Sequence, residues 1–536
     1  MPAPTPAVTC SGLTFAWPDG NAVFDDFSMA VSPGRTGLIG VNGSGKSTLL
    51  RLIAGELTPA AGSVAVAGEL GYLRQNLALG SPRTRVDEAL GIARVVAAVR
   101  AIEAGDASEE NFARVGEDWD AEERARATLD RLGLEQVPLD RRIGELSGGE
   151  GVLLCLAAQF LRRPGVLLLD EPTNNLDLVA RHRLYDAVDS WRGTMIIVSH
   201  DRELLDMVHQ IGELRSGQVR WYGGNLSAYE AAVAVEQEAA ERAVRAAESD
   251  VQRQQRELIE ARIKLDRRLR YGQKMEDTGR SPKILAHGLK RRAQVSAGKL
   301  RTGHIDRLDE AKERLAAAEE AVRDDDEIRI DLPATAVPSG RGVLALHGVE
   351  IRYGARAEVL VRGPERIALV GRNGAGKTTL LRTITGEIPA VSGEVKVSAP
   401  VRCLPQRLDV LDPGLTVVRN VARAAPAATE NQIRAQLARF LFRGRRADQQ
   451  AATLSGGELF RATLASLLLA EPAPQLLLLD EPTNNLDMAS VRQLSGALRS
   501  YQGAIIVASH DVPFLRELGL TRWLRLDGTL TEIDPL

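Results

Sequence analysis

The chain is poor in aromatic residues. Phe, Trp and Tyr make up 4% of its 536 positions, which argues against an extended platform for stacking bases. Cysteine is nearly absent: Cys10, Cys155 and Cys403 form no spaced cluster. Their odd number excludes a complete set of internal disulfides, and no metal-ligand spacing is present. A reducing cytosol is the expected setting. No apolar run reaches the roughly 18 residues that a membrane-spanning helix needs. The best candidate, Gly151 to Leu161, stops at Arg162-Arg163. The start, Met1-Pro-Ala-Pro-Thr-Pro-Ala-Val8, has no basic stretch followed by an apolar one, so no secretion signal is expected. Net charge is also missing. Lys and Arg number 68 against 71 Asp and Glu, leaving −3, an average that predicts no nucleic-acid partner.

What is present is a globular composition, 44% hydrophobic and 26% charged, in a chain long enough for about three or four domains of roughly 150 residues. Two copies of one unit organise it. Lys46 matches Lys377 and Gln75 matches Gln406 at an offset of 331. Ser147 matches Ser455 at 308, while Asp170 and Asp480, like His200 and His510, lie 310 apart. The first copy therefore carries about 23 extra residues, placed in the polar, helical stretch near Ile92 to Leu134. Short apolar runs such as Gly165 to Asp170 and Leu476 to Asp480 read as buried strands alternating with amphipathic segments. This indicates α/β units with a largely parallel sheet.

Each copy carries a G-x-x-x-x-G-K-[ST] loop, Gly40 to Ser47 and Gly371 to Thr378. Its glycines let backbone N–H groups curl around phosphate oxygens at a helix N-terminus. The lysine reaches the β/γ-phosphates and the hydroxyl binds Mg²⁺. Asp170 and Asp480 end apolar strands and are each followed by Glu-Pro-Thr-Asn-Asn-Leu-Asp. An Asp there is placed to hold Mg²⁺, and Glu171 or Glu481 to polarise the attacking water. His200 and His510 follow another apolar strand and are placed to bond a γ-phosphate. Leu-Ser-Gly-Gly-Glu occurs at 146–150 and again at 454–458, a second anion-binding helix start in each copy.

Between the copies the composition shifts to Ala, Glu, Arg and Gln. Val244, Val251, Leu258 and Leu265 recur every seven residues, with Ala240, Ala247, Gln254 and Ala261 between them, an a/d seam. A second row follows at Leu308, Ala311, Leu315, Ala318 and Val322. The pattern predicts an antiparallel helical hairpin with its tip near Tyr271 to Leu289 and a first arm of about 45 residues, roughly 65 Å long. Residues 262–307 hold 14 basic and 4 acidic side chains, a local +10. Charge of that density at a tip suits RNA phosphates, with Arg267, Arg268, Arg270, Lys274, Lys283, Lys290, Arg291 and Arg292 as the candidate contacts.

These landmarks resemble the ATP-binding cassette superfamily, and the charged inter-cassette hairpin resembles its ABC-F family. The resemblance implies two P-loop cassettes, 1–225 and 331–536, joined by a helical hairpin linker, 226–330. It implies two ATPs sandwiched head to tail with Mg²⁺. One site would use Gly40, Asn42, Gly43, Gly45, Lys46, Ser47, Thr48, Gln75, Asp170, Glu171 and His200, completed by Ser455 and Gly457. The other would use Gly371, Asn373, Gly374, Gly376, Lys377, Thr378, Thr379, Gln406, Asp480, Glu481 and His510, completed by Ser147 and Gly149. Glu171, Glu481, His200 and His510 would be catalytic. Ser47, Gln75 and Asp170, and Thr378, Gln406 and Asp480, would hold or sense the metal, and Trp17 and Tyr353 would stack on adenine.

The family implies a cytoplasmic ATPase that binds the ribosome when ATP is bound. Its linker reaches toward the peptidyl-tRNA and the peptidyl-transferase centre, in translation control or antibiotic protection. The expected form is a monomer whose two cassettes pair with each other. Gly151-Val-Leu-Leu follows the first signature where the family often has a basic residue. The short insertion, and the absence of a coiled coil after the second cassette, favour the protection or translation-factor branches. Two other functions fit a tandem cassette: the ATP-binding subunit of a drug-export transporter and a DNA-associated repair ATPase.

Overall fold

The computed structural model describes residues 5–75, 81–174, 176–215, 217–277, 302–319, 328, 330–406, 408–484 and 486–536. The chain divides into two compact units: Met1–Ser227 together with Glu327–Leu536, and Ala228–Asp326.

The first unit holds both repeats. In the first, a six-stranded sheet runs in the order Leu70–Leu73, Val166–Asp170, Thr194–Val198, Arg35–Ile39, Gln210–Arg215, Gln218–Gly223. All neighbours are parallel except the last pair. Val166–Asp170 and Thr194–Val198 are buried at every position, as expected of parallel strands covered on both faces. A separate antiparallel sheet pairs Val8–Ala16 with Ala22–Val31 and Ala61–Val66. In the second repeat the two corresponding sheets merge into one of nine strands, joined by a single parallel bridge between Arg356 and Thr529.

The insertion of the first repeat is helical, with helices at Ala93–Glu103, Glu109–Val115 and Ala121–Arg131. The second repeat has Val417–Ala424 and Glu430–Arg439 in the comparable region. The packing of both copies is dense and aliphatic, with Leu476 to Leu479 wholly buried and Tyr501, Phe440, Phe460 and Phe514 filling the space around them.

The second unit is the hairpin. Its first arm is one helix of 52 residues, Leu226–Asp277, about 78 Å long at 1.5 Å per residue. It exceeds the 45-residue expectation because it passes through Tyr271 and Gly272, where the sequence suggested the tip. One glycine costs a helix only about 1 kcal/mol, less than the strong helix formers around it supply. The second arm is helical over 302–319. Val251 and Ala311 are the most buried seam residues at 9% and 1% exposure. Asp250 accepts from Arg253 on its own arm and from Arg314 on the other, the latter at 3.1 Å. No described helix is long and apolar enough to cross a membrane.

Candidate functional site

In both repeats the chemistry collects at the carboxyl ends of the parallel strands, the crevice where doubly wound sheets bind ligands. Arg35–Ile39 leads into the glycine loop, Thr194–Val198 into His200, and Val166–Asp170 ends on its own aspartate. The order of these three strands brings Asp170 and His200, 124 and 154 positions beyond Lys46, to one place with it.

The loop geometry depends on glycine. Gly45 caps the helix Lys46–Ile53 at φ 98°, in the left-handed region that other residues occupy at a cost. A Cβ at this position would also stand 2.7 Å from Val23. Gly376 repeats the conformation at φ 99° before Lys377–Thr385. Lys46 is buried, and its Nζ donates back to the Gly40 and Val41 carbonyls at 2.7 and 3.1 Å. Lys377 does the same to Gly371 and Arg372, at 2.8 and 3.3 Å. Burial holds both ammonium groups below their usual pKa, opposed by the neighbouring carboxylates.

The Ser47 hydroxyl donates to Asp170 at 3.0 Å, and the Thr378 hydroxyl to Asp480 at 3.2 Å. A hydroxyl and a carboxylate at this spacing form the hard, oxygen-only donor set that suits Mg²⁺, which takes few protein ligands and completes its shell with phosphate and water.

Glu171 and Glu481 have positive φ, 49° and 46°, a conformation costing on the order of 1–3 kcal/mol and concentrated at functional sites. Their backbone N–H groups donate to Val198 and Ala508 at 2.8 Å, which fixes the carboxyls beside the histidines. His200 Nε2 lies 3.1 Å from Glu171, and His510 Nε2 lies 3.4 Å from Glu481. Burial pushes the two carboxyls up to about 8 and about 7, and both imidazoles down to about 3. Both histidines are therefore neutral near pH 7.

A cavity of about 780 Å³ opens over the first site. Trp17, Asn42, Gly43, Gly45, Lys46, Ser47, Thr48, Gln75, Glu171 and His200 line it. Trp17 is held edge-on by Phe15, with ring centroids 5.2 Å apart. Tyr353 is 85% exposed beneath the Arg352 guanidinium, and Gln406 is exposed. Along the second site, a cavity of about 590 Å³ is lined by Gly371, Arg372 and His510 from one repeat and by Asp177, Arg181 and Tyr185 from the other.

Ser147 and Ser455 each cap their signature helix through a capping box with Glu150 and Glu458. Neither serine, nor Gly149 or Gly457, lines these two cavities. Of the candidate RNA contacts, Arg267 and Arg270 are exposed on the long helix, and Arg268 and Lys274 lie on it too. Lys283, Lys290, Arg291 and Arg292 lie outside the described residues.

Three residues escaped the sequence reading. Asp487 Oδ2 accepts the Asn42 backbone N–H across the repeats at 2.9 Å, and Asp177 Oδ2 accepts that of Asn373 at 3.5 Å. Each is also the N-cap of the next helix. That capping role was readable from the motif, whereas the crossing required the structure. Tyr72 donates to Asp170 at 3.4 Å, and Cys403 occupies the same register in the second repeat.

Two P-loops, each with a carboxylate pair and a histidine, on repeated α/β sheets define a tandem ATP-binding cassette protein. The ABC transporter family model matches residues 24–174 and 357–484. The chain is 35% identical to the tylosin resistance ATP-binding protein TlrC of Streptomyces fradiae, over 95% of both chains. It is 32% identical to the probable ATP-binding protein YheS of Escherichia coli K12, over 92% of this chain and 75% of that one. It is 31% identical to the energy-dependent translational throttle protein EttA of Mycobacterium tuberculosis H37Rv, over 95% and 88%. Among solved structures, an archaeal ribosome recycling factor, aABCE1, shares the fold at a TM-score of 0.54 and 18% identity, over 96% of this chain and 87% of that one. The chain belongs to the ABC-F family of tandem ATP-binding cassette proteins.

Proposed function

We propose that this protein is a cytoplasmic ATPase that binds the ribosome with ATP bound and acts through its hairpin near the peptidyl-tRNA and the peptidyl-transferase centre. The observation that carries the reading is a strongly basic hairpin, +10 over 262–307, placed between two cassettes that both keep their Lys, Asp, Glu and His. Relatives named for tylosin resistance and for translational throttling support it. The working parts are a first cassette over 1–225, the hairpin over 226–330 and a second cassette over 331–536. The working form is a monomer whose cassettes pair within the chain.

In each site the glycine loop and lysine bind the triphosphate of ATP, and Trp17 or Tyr353 stacks on its base. The Ser47–Asp170 and Thr378–Asp480 pairs hold Mg²⁺, helped by Gln75 and Gln406. Bound there, the metal supplies charge neutralisation on the phosphates. Glu171 and Glu481 polarise the attacking water, and only their ionised forms can accept its proton. The histidines stand beside those carboxyls and bond the γ-phosphate. Ser455 with Gly457, and Ser147 with Gly149, complete the opposite site when the cassettes close. The basic residues of the hairpin then meet ribosomal and transfer RNA.

The test is the double variant Glu171→Gln, Glu481→Gln, sedimented with ribosomes through sucrose in ATP. It should be trapped in the ribosomal fractions. A variant that remained wholly with free protein would refute the reading.

A further inference from the structure

The hairpin is not the only basic feature. Over 430–447 the second cassette has five arginines and one glutamate, whereas the matching 122–139 of the first has three basic and four acidic residues. The excess is sharpest at Arg443, Arg445 and Arg446, all exposed. They sit on a rigid knuckle. Phe440 and Phe442 are buried on one side of it and Ala447 on the other, at 0%, 2% and 1% exposure. A single turn of 3₁₀ helix, Gly444–Asp448, links them.

The first cassette shows that the fold does not require these arginines. It has the same framework 308 residues earlier: Leu132 and Leu134 are buried like the two phenylalanines. Gly133 at φ 67° matches Leu441 at φ 68°. Yet Glu135, Val137 and Pro138 stand where the three arginines do, and Val137 is buried. Arg439 is a different case, because its counterpart is Arg131 and both close a helix, where a cation is favoured anyway.

Three arginines within four residues place several guanidinium groups on one exposed turn. Guanidinium groups match phosphate oxygens in bidentate geometry. The interleaved apolar side chains point inward, so none is offered to an acyl layer as a membrane-bound surface would need, and no ring is offered to a base. We propose that this knuckle is a second nucleic-acid contact, which binds the RNA phosphate backbone without reading its sequence. In naming the RNA as ribosomal, it rests on the ribosome reading above.

The test uses the full chain carrying Glu171→Gln and Glu481→Gln, with ATP, as the parent. The variant adds Arg443→Gln, Arg445→Gln and Arg446→Gln, all exposed changes that keep the fold. Binding is measured against salt for two probes, intact ribosomes and protein-free large-subunit ribosomal RNA. Each lost phosphate contact removes roughly 0.7–0.9 from the slope of log K against log salt. The variant should lose about two units of slope and at least about tenfold in affinity for the RNA near 0.1 M salt. Equal affinity and slope for parent and variant on the RNA would overturn the proposal. So would arginine-dependent binding to phosphatidylserine vesicles with RNA binding unchanged. A parent that binds the RNA but not ribosomes refutes the ribosome reading alone, with the knuckle still judged on the RNA. A parent that binds neither overturns both.

Discussion

The carboxylate of Asp487 reaches from the second cassette to the Asn42 backbone N–H in the first, at 2.9 Å. The mirrored contact, Asp177 to Asn373, is stretched to 3.5 Å. One aspartate thus ties the opposite phosphate loop to a helix start, and its counterpart does so more loosely. Serine preserves an N-cap but is too short to make the crossing. Losing a charge-assisted bond removes about 1.5–3 kcal/mol, so Asp487→Ser should slow steady-state ATP hydrolysis roughly tenfold or more. Asp177→Ser should slow it about twofold, as a bond near the distance limit contributes little. Equal losses in the two variants would contradict the asymmetry.

Asp170, proposed to hold the metal in the first site, has a support that Asp480 lacks. Tyr72 donates to Asp170, whereas Cys403 stands at the same register beside Asp480. With the second site silenced by Lys377→Ala, Tyr72→Phe should raise the Mg²⁺ concentration for half-maximal binding of a fluorescent ATP analogue about fivefold, from roughly 1 kcal/mol of lost hydrogen bonding. An unchanged midpoint would show that Tyr72 does not orient Asp170.

Burial pushes the thiols of Cys10, Cys155 and Cys403 up to about 12. Thiolate is the reactive form, and it exists only as pH rises toward that value. At pH 8 about one thiol in 10⁴ is ionised, against roughly a quarter for a free cysteine of pKa 8.5. A chromogenic disulfide reagent should therefore react slowly with the native protein at pH 8 and promptly in denaturant. Rapid labelling of any of the three in the native state would contradict this prediction.

Ala311 in the second hairpin arm is 1% exposed. Ala311→Leu overfills the seam, which typically costs about 1–3 kcal/mol. Helical signal should be lost at lower temperature, and proteolysis within 226–330 should accelerate, with ATP hydrolysis in the absence of ribosomes unchanged. A melting curve identical to that of the parent would place Ala311 outside the packed seam.

The parallel sheets were legible because their strands are unbroken apolar runs, such as Leu476 to Leu479, ending on polar residues at fixed offsets. The close grouping of Lys46, Ser47, Asp170, Glu171 and His200 came from the resemblance to the cassette superfamily, because the sheet sets the strand before Lys46 beside the one before His200, out of chain order. Contacts made by backbone across the repeats were not legible. Nothing in the identity of Asn42 reveals that its N–H faces an aspartate 445 residues away. Helix length was misread because glycine was weighed as a terminator. The difference between Tyr72 and Cys403 was visible in the letters but had no meaning until Asp170 stood beside one of them.

Arg202 pairs with Glu517 across the two cassettes. The repeat places Val512 and Met207 at the mirrored positions, so the pair occurs only once. A cassette that associated with free copies of itself would have to carry both partners on every copy, and dilution would separate them. Joined in one chain, the halves meet at an effective concentration set by their tether rather than by abundance. Closure is then a unimolecular event, and each face of the seam has been able to change without matching itself.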